Sequence, residues 1–143
     1  MDDKQVLFEQ YKLAVEMADR VSARREGANK IFLTANSIVF AFLATQSIFS
    51  EIHIFIAVFG IFLCFVWAEI IKNYRTLNSA KFAIIHEMEE KLPWKVYKDE
   101  WARLKQGKDK KTHSKLTVTE KQLPWVFLVF YTFLFIYVAV SFF

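Results

Sequence analysis

The sequence has little of what catalytic and secreted domains are built from. It holds one cysteine, two prolines and three glycines in 143 residues. A single cysteine, Cys64, excludes an intrachain disulfide. Three glycines leave no Gly-rich loop to cradle a phosphate. The histidines His53, His86 and His113 are far apart, and no pair of them has metal-ligand spacing with a cysteine or carboxylate partner. The strained Gly-x-Ser-x-Gly turn of serine hydrolases is missing. So is the closely spaced Arg–His pair of HEPN-type ribonucleases, the nearest candidates being Arg75–His86 and Arg103–His113. No catalytic residue, cofactor or metal is expected, and the chain is not expected to be an enzyme.

Charge is also missing, from three long stretches. Ile31–Phe49, Ile54–Ile71 and Pro124–Phe143 are 18 to 20 residues long, and only Glu69 interrupts them. A helix rises about 1.5 Å per residue, so each spans a hydrocarbon core of roughly 30 Å. The expected fold class is an all-α integral membrane protein with three transmembrane helices, an N-terminal amphipathic helix and a cytoplasmic helical hairpin. The segments are 1–30 (amphipathic helix), 31–71 (two-helix transmembrane hairpin), 72–104 (cytoplasmic hairpin), 105–123 (basic linker) and 124–143 (third span). The first residues include Asp2 and Asp3 and the first apolar run starts only at Ile31, so no signal peptide is expected. The last apolar run reaches Phe143 with no polar tail, which leaves a trimmed C-terminus as one expectation.

All 19 Lys and Arg lie before Ile31 or between Lys72 and Lys121. Basic loops are retained in the cytoplasm, so the N-terminus and residues 72–123 are expected inside, with the 50–53 turn and the C-terminus outside. Arg24, Arg25 and Lys30 fall at the inner membrane edge, where long basic side chains snorkel. The Arg103–Lys115 stretch suits anionic headgroups. It has no aromatic side chain to stack a base, so membrane lipid rather than nucleic acid is the expected partner.

Periodicity fills in the rest. Leu7, Tyr11, Ala14, Ala18 and Val21 recur at helical spacing. Gly27 either bends this helix or lets it run on into the first span. No Gly or Pro falls between Gly60 and Pro93, so one helix over about 54–91 is expected, roughly 57 Å long. Its stripe is Leu77, Ile84, Ile85, Met88 and Leu92. Pro93 ends it. A short helix over Trp94–Leu104 should follow, its edge Trp94, Tyr97, Trp101 and Leu104 buried on the preceding helix, on the N-terminal helix or on a neighbouring subunit. Thr119 and Gln122 are spaced as a weak capping box for the third span.

Within the spans, Thr34, Ser37, Ala41, Ala44 and Thr45 share one face of the first helix. Ala57, Gly60, Cys64 and Ala68 form a second small-residue stripe. The two stripes either pack on each other or leave one to face an oligomer axis. In the second case Thr34, Ser37, Ala41 and Thr45 line a pore. Asn36 and Ser47 are placed to bond across helices, and Glu69 to pair with Lys72. Nine of the 20 residues in the third span are aromatic, which suits lipid or neighbouring subunits better than a polar path.

The run Trp67…Tyr74-Arg75-Thr76-Leu77-Asn78-Ser79-Ala80-Lys81-Phe82-Ala83-Ile84-Ile85-His86-Glu87-Met88-Glu89, then Leu92-Pro93, Tyr97 and Glu100-Trp101, resembles the RipA family of small bacterial membrane proteins, described as octameric. Tyr11-Lys12, Arg24-Arg25 and Asn29 look similar, less specifically. A looser resemblance reaches the pore-forming membrane accessory of type VI-B CRISPR systems. The resemblance implies a homo-oligomer, an octamer, in the bacterial inner membrane, with an anti-phage role and a CRISPR effector or other cytoplasmic protein as partner. The expected function is a pore or latent pore that depolarises the membrane; the alternative is a non-conducting scaffold whose hairpin binds a partner. Arg24, Arg25, Tyr74, Arg75, Asn78, Glu89, Tyr97, Glu100 and Trp101 are the expected assembly or partner contacts, with Glu89 and Glu100 pairing basic residues of an adjacent subunit.

Overall fold

The computed structural model describes residues 2–45, 52–103 and 116–142. Four helices account for them: α1 (Asp3–Ala44), α2 (Ile52–Glu89), α3 (Val96–Arg103) and α4 (Leu116–Phe142). The fold is all-α, and α1, α2 and α4 are each long and apolar enough to cross a membrane. Ser47, most of the 50–53 turn, Leu104, His113 and the basic run 104–115 lie outside the described residues.

Two compact units share these helices. One comprises residues 26–72 and 117–143 and contains the apolar stretches. Its core is polar at two points. On α1, Asn29, Phe32, Asn36 and Phe40 follow one another at helical spacing and face inward. Trp67 of α2 is fully buried, stacks on Phe32 with ring centroids 5.6 Å apart, and donates its indole N–H to Asn29 Oδ1 at 2.8 Å. Tyr131 of α4 is equally buried and donates its hydroxyl to Asn36 Oδ1 at 2.8 Å. Asn36 Nδ2 in turn donates to the Phe32 carbonyl at 2.7 Å, so this asparagine uses both ends of its amide. In hydrocarbon a lone polar group has no water to turn to, which makes such pairs a condition of burial.

Gly60 sets how closely α4 approaches. A Cβ there would lie 2.5 Å from the Tyr131 ring. The buried stripe Ala57, Gly60, Cys64, Trp67, Ile71 is therefore the surface of α2 that α1 and α4 cover. The two small-residue stripes do not pack on each other: Thr34, Ser37, Ala41, Ala44 and Thr45 are all exposed. The inward face of α1 belongs instead to its two asparagines and its phenylalanines.

The other unit comprises residues 1–25 and 73–116. Ala18 and Val21 of α1 and Ile85 and Glu89 of α2 are buried in it, while Tyr11 is half-buried. The two segments are antiparallel. Ser22 Oγ donates to Asn78 Oδ1 at 3.4 Å, and Tyr11 donates its hydroxyl to Glu89 Oε1 at 2.9 Å.

At Gly27 the chain takes the second expected course, α1 running on unbroken into the first span. Three boundaries differ from expectation. α2 stops at Glu89 rather than Lys91, with turn hydrogen bonds Lys91 N–H to Met88 O and Leu92 N–H to Glu89 O closing it. α3 begins at Val96 and none of its residues is buried. Trp94 precedes it and is 80% exposed, and Trp101 is also exposed, so the chain itself covers only part of the 94–97–101 edge. Only Tyr97 turns inward, its ring 5.7 Å from Phe82. α4 begins at Leu116, so Thr119 and Gln122 lie inside it rather than at its start.

Gly60 and Gly27 make a matched pair. Gly60→Ala forces the buried Tyr131 ring to move and should cost about 1–3 kcal/mol, the usual scale for overpacking. Around Gly27 an added Cβ meets nothing within 4 Å. Gly27→Ala should therefore stabilise the helix by roughly 0.5–1 kcal/mol. Thermal unfolding of the two variants in detergent should shift in opposite directions.

Candidate functional site

The expected assembly residues fall into two groups. Glu89 is the centre of the first. It is fully buried and engaged within its own chain, which excludes the expected pairing with a neighbouring basic residue. Its carboxylate accepts from three donors: the Tyr11 hydroxyl at 2.9 Å and the Tyr97 backbone N–H at 2.9 Å on Oε1, and the Lys98 backbone N–H at 2.9 Å on Oε2. Tyr97 and Lys98 are the second and third residues of α3, whose first-turn N–H groups have no helical acceptor. Glu89 thus acts as an N-cap supplied from another helix, with a negative charge on the positive end of the α3 dipole. This explains how an eight-residue helix with no buried residue is held.

Burial and the bond to Glu89 push the Tyr11 phenol up to about 12. Tyr97 is also raised, by burial first and then by Asp19, Glu100 and Glu89. Outside the cap, Glu90 accepts hydrogen bonds from Lys95 and then Lys98, which hold its carboxyl down at about 2. The sequence places Glu89 in the hairpin and leaves its partner open between an adjacent subunit and the chain itself; the structure gives it partners in its own chain. The usable signal was its spacing of eight residues from Tyr97, across a proline elbow.

The remaining members of the list are dispersed. Asn78 accepts the Ser22 hydroxyl, inside the chain. Tyr74, Arg75 and Arg25 are half-buried, and Arg24, Glu100 and Trp101 are exposed. Glu69 accepts from Lys72 Nζ at 3.3 Å, with both side chains more than half exposed.

The second group is the α1 face Thr34, Ser37, Ala41, Thr45. All four are exposed. Ser37 and Thr45 donate their hydroxyls to the backbone carbonyls of Leu33 at 2.8 Å and Phe42 at 2.7 Å. Each of these hydroxyl protons thus has an acceptor in its own helix. Among the described residues no group of His, Cys, Asp and Glu is placed to hold a metal ion.

Three helices long enough to span a membrane, packed around two buried asparagine bonds, with a second helical unit in which Glu89 caps α3, describe an all-α integral membrane protein. The match to a family model extends over residues 8–140, and the chain belongs to the octameric membrane protein family (8xMP). It is accordingly an oligomeric membrane protein. No curated protein and no solved structure matches it.

Glu89→Ala removes the cap and should cost about 0.5–2 kcal/mol. The Tyr97 and Lys98 amides should then exchange with deuterium faster, while amides of the 26–72 segment keep their rates. Tyr11 gives a pH signature. Its pKa is raised on folding, so its contribution is complete below the ordinary value of 10.0 and is lost as pH rises through about 12. Alkaline unfolding of this unit should lose that component in Tyr11→Phe.

Proposed function

We propose that the octamer is a pore, or a latent pore opened by a trigger, that depolarises the bacterial inner membrane. The N-terminus is cytoplasmic and the C-terminus outside. The chain works without catalysis, and its biological setting is anti-phage defence alongside a CRISPR effector or another cytoplasmic protein.

One observation carries the pore reading. Thr34, Ser37, Ala41 and Thr45 form the most hydroxyl-rich face of the spans, and the chain's own helices leave it uncovered. α4 is a poor lining by contrast, because its exposed residues include Val126, Val129, Phe133, Ile136 and Val140. A hydroxyl face turned to an axis gives ions oxygen ligands, while α4 and the phenylalanines of α2 face lipid.

Conductance in planar bilayers tests this. The unmodified protein should show channel activity. A charge on a lipid-facing helix costs about 2.5–3.5 kcal/mol on insertion scales, and less where it meets water. Thr45→Asp should therefore insert, assemble and alter ion preference, whereas Phe133→Asp should reduce insertion. A silent octamer, with Thr45→Asp abolishing assembly, would favour the scaffold.

Orientation has its own test, in a Cys64→Ser background. An impermeant maleimide added to intact cells should label Ser50→Cys and not Ser114→Cys. Labelling of the second alone would reverse the topology.

A further inference from the structure

The unit formed by residues 1–25 and 73–116 carries the charge that the apolar stretches lack. Its part of α1 carries Lys4, Glu9, Lys12, Glu16, Asp19, Arg20, Arg24 and Arg25, distributed around the helix. Exposed apolar side chains therefore mean something different here than in the spans, where lipid solvates them.

They fall on two sides. Helical residues advance about 100° each. Measured from buried Ala18, Leu13 and Met17 lie to one side of α1, and Lys12, Val15 and Asp19 to the other. Measured from buried Ile85, Leu77 and Ile84 lie to the corresponding side of α2, and Phe82 and His86 to the other. Because the two segments are antiparallel, equal angular sense puts both sets on the same face of the pair. α3 covers the opposite face: Val96 and Tyr97 form a cleft with Tyr11, Lys12, Val15 and Asp19, and Tyr97 meets Phe82. The Leu13–Met17–Leu77–Ile84 face is left open, with Leu13 58% and Ile84 53% exposed. On the α3 side, Trp94, Val96 and Trp101 are exposed in turn.

All copies of an octamer that inserts in one orientation share that orientation. A two-fold axis in the membrane plane is then forbidden, and the octamer is a ring of head-to-tail contacts between unlike surfaces. An apolar face in such a ring cannot meet itself on the adjacent copy. It needs a different apolar surface, and this unit carries one on its opposite side. We infer that the Leu13–Met17–Leu77–Ile84 face of one copy receives the Trp94, Val96 and Trp101 side of the next. The inference rests on membership of the octameric family and is independent of whether the ring conducts.

Cross-linking in membranes tests it, in full-length protein with Cys64→Ser. Chains carrying Ile84→Cys and chains carrying Trp94→Cys are expressed separately and together, then treated with a flexible bismaleimide. Covalent dimers should form only on co-expression. Placing both substitutions on one chain should give a ladder of higher species. Dimers from Ile84→Cys alone would mean that like faces meet, and would overturn the inference. So would an intact octamer with no cross-link on co-expression. A second variant guards against a reagent that fails to reach. Leu13→Glu with Ile84→Glu, both at exposed positions, should keep helix content but lose most of the octamer in mild detergent. An undiminished octamer mass for that double variant would place the interface elsewhere. Neither readout depends on conductance, so failure here and failure of the pore reading are separable.

Discussion

The Tyr131 side chain is the constraint on which the spanning unit depends. Its ring lies over Gly60 of α2, where even a methyl group would collide, and its hydroxyl reaches Asn36 of α1. One residue of α4 therefore fixes the position of that helix against both others. Hydrophobicity cannot do this in lipid, since the solvent is as apolar as the helices. Close approach at a glycine and a satisfied hydrogen bond supply what burial alone supplies in water. The Asn29–Trp67 bond repeats the device between α1 and α2, with Phe32 stacked on the indole.

The second unit uses a different device. α3 is too short to persist by propensity and buries nothing, so its place is set by the Glu89 carboxylate. A buried charge is costly unless fully bonded, and three donors converge on this one. Tyr11 ties the same carboxylate to α1, so cap and helix pair are one arrangement. The apolar residues that would ordinarily hold such a helix, Trp94 and Trp101, are exposed instead.

This division organises the functional reading. The residues that hold one chain together are asparagine, tyrosine, tryptophan and a buried glutamate. Those left over are a hydroxyl face on α1, an aromatic and aliphatic surface on α2 and α4, and two apolar sides of the second unit. Membership of an octameric family fits such a surplus, since neighbouring copies need surfaces to meet on.

Charge-free runs and their lengths determined the three spans and the all-α class by themselves, because the thickness of a bilayer sets a minimum helix length that composition either meets or does not. Proline and the missing glycines likewise marked a long α2 and its end to within two residues. The run over 67–104 was enough to point to an octameric family. What tertiary structure alone decided is which side of each helix is used. A stripe of small residues reads the same whether a sister helix, lipid or an axis covers it, and only the packing of Tyr131 on Gly60 settled that the α2 stripe is internal and the α1 stripe is not. Glu89 reads as a surface charge until the chain turns at Pro93 and brings two free N–H groups onto it. Periodicity gives a residue its angle about its own helix, but the partner at that angle is fixed by contacts between residues distant in the chain.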